Sequence, residues 1–593
     1  MGVSEDYRAR LAGKLAELQR MDRQFIRIGN ARLAGGLLLA VAAWLAFGQQ
    51  WISPWWMAPP AAAFLGLIVL HEKTVRTRRD AARSVRFYER GLERIEARWQ
   101  GKGEAGEDFR DLRHIYSEDL DLFGKGSLFE LLNTARTRGG EKILADWLLA
   151  PAGIDEAKAR QSAVLELRPR LDLRESLALL GENVRAGLHP ETLSQWASRA
   201  TVRFGAATRL AALLAAGATI LTLMLFFAGM AHLWPFLVML LLDLGWMLFA
   251  WPRIRVVIES MEAPAKDLDL LSSTLERLER EHFESPYLQE IEKRIRSGSR
   301  PASRSIRDLR RLVVRLDWAR NQLFAPIALL LLWHLQIAIS IERWRLTHGP
   351  DIAAWMAAVG QMEALCALSG YSFEHPDDPF PDLTRESAGF SAEQLGHPLL
   401  AEAAAVRNDL ELGGGTRLLI VSGSNMSGKS TLLRAVGLNT VLAWAGAPVR
   451  AKRLSVSPLQ VGASIRVQDS LQDGKSRFYA EITRLRQLSD RSVSQPPLLF
   501  LIDEMLSGTN SHDRRIGAEA ILRSLLDAGS LGLVTTHDLA LAEMVGTLPG
   551  YPANVHFEDT LRDGKLTFDY RLRTGVVQHS NALELMRGLG LLV

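Results

Sequence analysis

Apolar positions along this chain are gathered into blocks. Residues 33–47 (LAGGLLLAVAAWLAF) and 55–70 (WWMAPPAAAFLGLIVL) hold no charged side chain. With flanking residues 49–51 and 52–56, each approaches the about 20 residues that a helix needs to cross a bilayer, and the tryptophans suit its interface. Arg23, Arg27 and Arg32 precede the first block, while Lys73, Arg76, Arg78, Arg79, Arg83 and Arg86 follow the second. The turn between them has no basic residue, so the positive-inside rule puts both ends in the cytoplasm. A cleaved leader fits poorly, because the apolar run starts late and a second follows it. A second pair, residues 210–228 and 233–251, repeats the design, with Arg203, Arg209, Arg253 and Arg255 outside it. The alternative, helices buried in a large soluble core, fits these lengths less well. Asp243 lies inside the last block, where a carboxylate is costly and faces protein; it reads as a helix-packing contact. A fifth run, residues 323–341, is broken by Pro326, His334 and Gln336 and meets Glu342, Arg343 and Arg345, and is read as a buried soluble helix.

Between the blocks the period is helical. Residues 72–100 and 256–296, for example LDLLSSTLERLEREHF, alternate apolar and charged positions as amphipathic helices do. Residues 297–304 (SGSRPASR) mark a loop. From about residue 404 the texture changes to short apolar runs set off by glycine, RLLIVSG, LLFLIDE and LGLVTTHD, with helical segments between. That alternation predicts a parallel sheet with crossover helices.

Composition narrows the class. A chain of 593 residues allows about three to five domains. With 48% apolar and 23% charged residues it has material for packed cores. Lys plus Arg (71) exceed Asp plus Glu (67) by only four, so any surface for nucleic acid must be local. The single cysteine, Cys366, excludes an internal disulfide and a cysteine-rich zinc site.

The chemistry concentrates in the last third. Residues 423–430 read GSNMSGKS, between an apolar strand and the helical TLLRAVGLN, which is the order of a phosphate-binding loop. Glycines let the backbone of Gly423, Ser424, Asn425, Met426, Ser427 and Gly428 wrap phosphates; Lys429 reaches the outer ones, Ser430 ligates magnesium, and Thr431 continues into the helix. LLFLIDE (498–504) ends a buried strand in two acids, Asp503 to hold magnesium and Glu504 to polarise the attacking water. LVTTHD (533–538) ends another at His537, placed to sense the terminal phosphate.

These residues resemble the MutS family of DNA mismatch-repair ATPases, in GSNMSGKST (423–431), LIDEMLSGTNSHD (501–513), TTHD (535–538) and DSLQDGKSRFYAEI (469–482). The resemblance implies an ABC-type ATPase fold that uses ATP and Mg2+ as a homodimer through its ATPase domains. It implies that Ser476 touches the phosphate bound by the partner, with Ser507, Gly508, Thr509 and Asn510 forming the loop at that trans site. HPLL (397–400) and VRNDLEL (406–412) resemble the start of the ATPase domain, where the family often has an aromatic near adenine; none stands at the matching place. SLFELLNTARTRGGEKILADWLLAP (127–151), with Arg160, Gln161 and Val164, resembles the start of the family's helical core. The mismatch-reading domain and its Phe-x-Glu wedge are missing ahead of the first apolar block. The likeness covers roughly residues 119–200 and 256–593.

The expected fold class is therefore an α/β P-loop (ABC-type) ATPase domain preceded by a mostly α-helical MutS-like core, with two transmembrane helical hairpins. Its parts are a cytoplasmic N-terminal helix (1–32), hairpin 1 (33–71), a helical segment and start of the core (72–209), hairpin 2 (210–251), a lever region (252–385) and the ATPase domain (386–593). The expected partners are a second copy, the lipid bilayer and DNA, the last resting on Arg300, Arg304, Arg307, Arg310 and Arg311 in the basic stretch 293–315, whose alternative is a solvated face paired with acids. An ATP-driven switch acting on membrane or protein partners is the rival to DNA coupling. The charge asymmetry predicts that topology reporters fused at Gln50 and Met230 read outside and one at Arg345 inside; an outside signal at Arg345 would mean that the fifth run also crosses.

Overall fold

The computed structural model describes residues 2–577, apart from 182–189, 206, 262–264, 266, 267, 297–299, 320, 386, 387, 467–476, 507, 508, 563 and 564. Helices α1 (Val3–Ala43) and α2 (Ala58–Ile95) run antiparallel, joined by a π-helical turn Trp44–Gly48 and a 3-10 turn Pro54–Met57. Gly35 and Gly36 lie against Phe64 in the apolar half, so the helices approach closely there. At the other end Tyr7 packs edge-on to Tyr88, with 5.7 Å between ring centroids. Gly91 makes room for it, since a Cβ there would stand 2.3 Å from the Tyr7 ring.

The middle of the chain is helical. Short α3 (Leu128–Leu132) and α4 (Arg138–Leu149) start at Ser127 and Thr137, whose hydroxyls accept the Glu130 and Gly140 amides at 3.2 and 3.0 Å. They are followed by α5 (Ile154–Leu167), α6 (Leu171–Gly181) and α7 (Pro190–Ser198). Helices α8 (Thr208–Phe227) and α9 (Leu233–Met261) form the second hairpin, in which Thr219 Oγ1 donates to Asp243 Oδ2 at 2.5 Å. Asp243 is thus a buried helix-to-helix contact, as its sequence position suggested. Next come α10 (Leu268–Glu279), α11 (Pro286–Arg296), α12 (Ala302–Trp318) and α13 (Ala325–Leu330). The long α14 (Trp333–Glu374) then runs through the assembly and packs on α4, α5, α7, α9, α11 and α12.

Among the described residues, five helices are long and apolar enough to cross a membrane: those beginning at Val3, Pro54, Thr208, Leu233 and Trp333. In α14 the apolar stretch is 72% buried, so protein already covers it; in the other four helices the share is 17% or less. The fifth apolar run behaves in two ways. Leu332, Leu335 and Ile341 are buried as expected, but Leu323 and Ile327 are exposed, and Leu332, with φ 48°, separates α13 from α14. The reading as one buried helix is corrected accordingly: Pro326 starts a short separate helix, and the left-handed turn redirects the chain.

The C-terminal part holds two sheets. The smaller contains β1 (Asp382–Leu383), β2 (Phe390–Leu395), β3 (Asn408–Leu412) and β5 (Arg453–Val456), in the order β1-β5-β2-β3. The larger contains β4 (Leu418–Ser422), β6 (Gln460–Ser464), β7 (Leu498–Ile502), β8 (Leu531–Thr536), β9 (Ala553–Arg562) and β10 (Lys565–Thr574), ordered β10-β9-β4-β8-β7-β6. All its pairings are parallel except β9 with β10. Alternate residues of β4 enter different cores. Leu419 and Val421 join the one shared with α15 (Lys429–Ala445), and Leu418 and Ile420 the one shared with α16 (Arg477–Ser492) and α17 (Ser511–Asp527). Burial on both faces is why these strands read as unbroken apolar runs. A one-turn helix α18 (Leu539–Ala542) follows β8.

Where α4 crosses α14 the backbones nearly touch. A Cβ on Gly360 would lie 3.0 Å from the Gly139 carbonyl carbon, and one on Gly140 would strike the Glu363 carboxylate. Glu363 accepts from the Thr137 amide at 3.2 Å and from its hydroxyl. Burial nevertheless pushes its carboxyl up to about 7, against the pull of those bonds. An acid raised on folding contributes stability that is present below its ordinary value of 4.5 and lost as the pH climbs through about 7. Glu363→Gln keeps an acceptor for Thr137 without a charge, so it is expected to melt several degrees above the parent at pH 8 and to lose that advantage at pH 5, as read by thermal unfolding.

Candidate active site

The site lies at the carboxyl ends of β4, β7 and β8, the place where parallel sheets gather loops around ligands. The loop after β4 turns through left-handed backbone at Met426 (φ 70°) and Gly428 (φ 106°) before α15 starts at Lys429. A Cβ on Gly423 would stand 2.8 Å from Ser427 Oγ, and one on Gly428 would stand 3.2 Å from the Tyr570 ring, so glycine is required at both. Lys429 folds back over this loop, and its ammonium donates to the Gly423 and Ser424 carbonyls at 2.8 Å each. Burial pulls the ammonium down from its ordinary value, while Glu504 and Asp503 hold it up. Asn425, Met426 and Thr431 are exposed at the mouth, whereas the Ser424 and Ser427 hydroxyls are buried with no hydrogen-bond partner among the described residues.

The two acids expected to work with this loop do meet it. Ser430 Oγ donates to Asp503 Oδ2, and the Asp503 amide donates to Ser464 O at 2.9 Å. Thr535, at the end of β8, donates its hydroxyl to Asp503 Oδ1 and accepts the Glu504 amide at 3.0 Å. Glu504 has left-handed backbone (φ 50°), as does Leu506 (φ 54°), a strained turn held in place by its neighbours. Glu481 accepts the Leu506 amide, while Arg514 donates to the Leu506 carbonyl at 3.1 Å and to the Thr509 carbonyl at 3.0 Å. His537 Nδ1 stands 3.6 Å from Glu504 Oε1, half exposed. Of the expected trans-site residues, Ser476, Ser507 and Gly508 lie outside the described residues. Asn510 caps α17, its side-chain oxygen accepting the Asp513 amide at 2.8 Å.

Lys429, Ser430, Asp503 and Glu504 border a cavity of about 620 Å3 whose far wall comes from the smaller sheet and its loops: Leu395, His397, Leu400, Val406 and Asn408. No aromatic was legible there in the sequence, yet the fold supplies Phe557 of β9 and Tyr570. Tyr570 reaches the cavity from β10, where the pairing with β9 shifts register between Phe568 and Leu572 and leaves Tyr570 at φ 55°. Asn408 fixes that bulge, donating to the Tyr570 carbonyl at 3.0 Å and accepting the Leu572 amide at 2.7 Å. Burial drives the His397 imidazole down to about 4, so it faces the cavity as a neutral ring.

Sequence reasoning thus missed Thr535, Glu481, Arg514 and Tyr570. Thr535 lay in the quoted TTHD and Glu481 in the quoted DSLQDGKSRFYAEI, but hydrogen bonding across strands has no local signal. Thr535→Val removes one hydroxyl that orients both acids. For the ATP hydrolysis expected from the sequence, the substitution is expected to lower turnover about 10- to 100-fold, the usual cost of losing an orienting partner, with little change in KM; steady-state kinetics of purified protein checks it.

A family model described as MutS domain V matches residues 419–591. The chain is 36% identical over 203 residues to an endonuclease MutS2 from Thermus thermophilus, covering 33% of this chain and 25% of that protein. It is 30% identical over 237 residues to a DNA mismatch repair protein MutS from Natronomonas pharaonis, covering 39% and 27%. An endonuclease MutS2 from an Anaeromyxobacter species is 34% identical over 246 residues, covering 40% and 30%. The chain therefore spans between a quarter and a third of the length of these curated relatives. The glycine loop, the paired acids and the threonine that orients them all lie inside the matched region, so residues 419–591 are identified as a MutS domain V.

Proposed function

We propose that this chain is a membrane-anchored MutS-like ATPase that binds and hydrolyses ATP with Mg2+ as a homodimer, and that couples its nucleotide state to DNA. The observation that carries the ATPase reading is the convergence of Lys429 and Ser430 from one segment with Asp503 and Glu504 from another on one cavity of about 620 Å3, with His537 of a third segment beside Glu504. The donor set fits the cation: one hydroxyl and one carboxylate in contact are hard oxygen ligands of the kind magnesium accepts beside phosphate oxygens. Bound there, Mg2+ would neutralise charge on the phosphates. Lys429 would exchange its loop carbonyls for the outer phosphates. Glu504 would take a proton from an attacking water, and His537 would stand beside it to contact the terminal phosphate. Tyr570 and the neutral His397 would flank the base. The trans role of Ser476 rests on family resemblance, and a second chain would bring it to the site.

Anchoring is supported by the bare apolar faces of both hairpins. Leu33, Leu38, Phe47 and Trp55 in the first, and Leu214, Phe227, Leu241 and Phe249 in the second, are exposed, with no protein covering them. The DNA part of the reading draws on the relatives named MutS and on the basic stretch. There Arg307 pairs with Glu276, Arg310 with Asp269, and Arg311 with Asp308 at 3.1 Å. Pairs this exposed hold little energy and yield to phosphates at low salt. The same pairing favours a second reading, an ATP-driven switch whose partners are membrane or protein components.

Glu504→Gln is expected to retain ATP binding and to lose nearly all turnover, whereas Lys429→Ala weakens binding itself; a glutamine variant that turns over at the parental rate would overturn the role given to Glu504. In nanodiscs, DNA affinity is expected to fall steeply with salt and to differ little between a mismatch and paired duplex, because phosphate contacts carry no sequence information. No binding at low salt would leave the switch as the function.

A further inference from the structure

We propose that the tip formed by the end of α12, α13 and the first turn of α14 seats in the cytoplasmic leaflet beside the second hairpin, as an interfacial foot that does not cross the membrane. The proposal rests on the reading of α8 and α9 as membrane spans. Its first support is the abrupt change in burial along one apolar run. Leu323 is 87% exposed, and Trp318 and Ile327 are about half exposed, while Leu332 and Leu335 are fully buried. Exposed apolar surface of this kind marks contact with something other than water.

The occupant follows from what the patch adjoins. Helix α13 packs against α8 and α9, and His334, at the start of α14, meets Trp251 of α9 with ring centroids 5.9 Å apart. Trp251 precedes Arg253 and Arg255, so charge places it at the cytoplasmic end of its span. The apolar tip is therefore continuous with the lipid-facing surface of the hairpin, at the depth of the leaflet boundary. Its aromatic residues have the arrangement of an interface belt: Trp318 and Trp333 lie nearly parallel at 6.4 Å, and Phe324 stands edge-on to both. The Trp333 indole donates to the Arg315 carbonyl at 2.7 Å, which pins the start of α14 to the end of α12. Arg315, exposed on the preceding turn, suits anionic headgroups.

Length and protein cover decide between a foot and a fifth span: α14 is long enough to cross, but its apolar stretch is 72% buried in protein. Helix α13 has six residues, about 9 Å of helix, against a hydrocarbon core of about 30 Å. Both arms of the tip return to protein. Ser272 of α10 donates to the Ser303 carbonyl at the far end of α12, and the far end of α14 holds Glu374, bonded to Arg94 of α2. The foot would thus set a lever-region helix, α12, directly on the lipid surface.

The test uses full-length protein in nanodiscs that contain anionic lipid. In a Cys366→Ala background, one new cysteine at a time carries an environment-sensitive fluorophore, and lipids bearing a nitroxide at shallow or deep acyl positions act as quenchers. The sites are Leu323→Cys, Leu214→Cys on α8 and Lys452→Cys in the ATPase domain, all at exposed positions, so the fold is not at stake. The expected result is blue-shifted emission and several-fold quenching at 323, strongest with the shallow nitroxide, with quenching at 214 and none at 452. Emission at 323 like that at 452, with 214 quenched, overturns the foot and leaves the membrane reading intact. No quenching at 214 either means that the membrane reading has failed and the foot with it. Labelling of 323 by an impermeant thiol reagent from the outer side of oriented vesicles overturns the proposal in favour of a fifth span.

Discussion

Everything else in this molecule is arranged around the close crossing of α14 by α4, where Gly139 and Gly140 let the backbone of one helix reach Gly360 of the other. Side chains larger than hydrogen would force these helices apart, and the interior is packed too tightly to absorb the shift. The crossing also buries Glu363 under the Thr137 cap, so a polar contact fixes the register of an otherwise apolar contact. From this point α14 extends in both directions. One end lies beside the second hairpin. The other carries Glu374, which takes both Arg94 of α2 and the Tyr7 hydroxyl of α1, so the base of the first hairpin is bolted to the same rod. Just beyond it Asp378 pairs with Arg450 at 3.1 Å, joining the rod to the smaller sheet.

The second connection is α15. Its first residue is Lys429, inside the candidate nucleotide loop, and it is buried along nearly its whole length. Gly437 receives Leu120, and Gly446, at φ 87°, turns the chain against Arg160 of α5, whose guanidinium lies over the Trp147 ring at 4.0 Å. Buried Asn439 ties the same helix to the smaller sheet, donating to the Gly396 carbonyl at 2.9 Å and accepting the Arg450 amide at 2.6 Å. Helix α15 therefore packs on α4 and α5, and these in turn on α14. Continuous packing thus joins the loop to α14, the helix that meets both hairpins.

The sequence by itself determined the elements whose signals are local. A loop that wraps phosphate needs glycine at fixed offsets and lysine at the helix start, so residues 423–430 were legible, as were the buried strand ending at Asp503 and Glu504 and the four apolar blocks. The Gly-Gly pair at 139 and 140 lies in the stretch 127–151 singled out by resemblance, but nothing local paired it with Gly360. Strands β1 and β2 escaped as well: DL and FSAEQL are short and half polar, and only pairing with β5 and β3 makes them a sheet. Tertiary structure alone decided the rest. Thr535 orients both acids because β8 lies beside β7, Tyr570 reaches the cavity because a bulge re-aims β10, and the run at 323–341 divides because Leu332 turns left-handed where protein cover begins. Chemistry carried by neighbours in sequence is written in the residues themselves, whereas chemistry assembled from distant segments exists only once packing has fixed which of them meet.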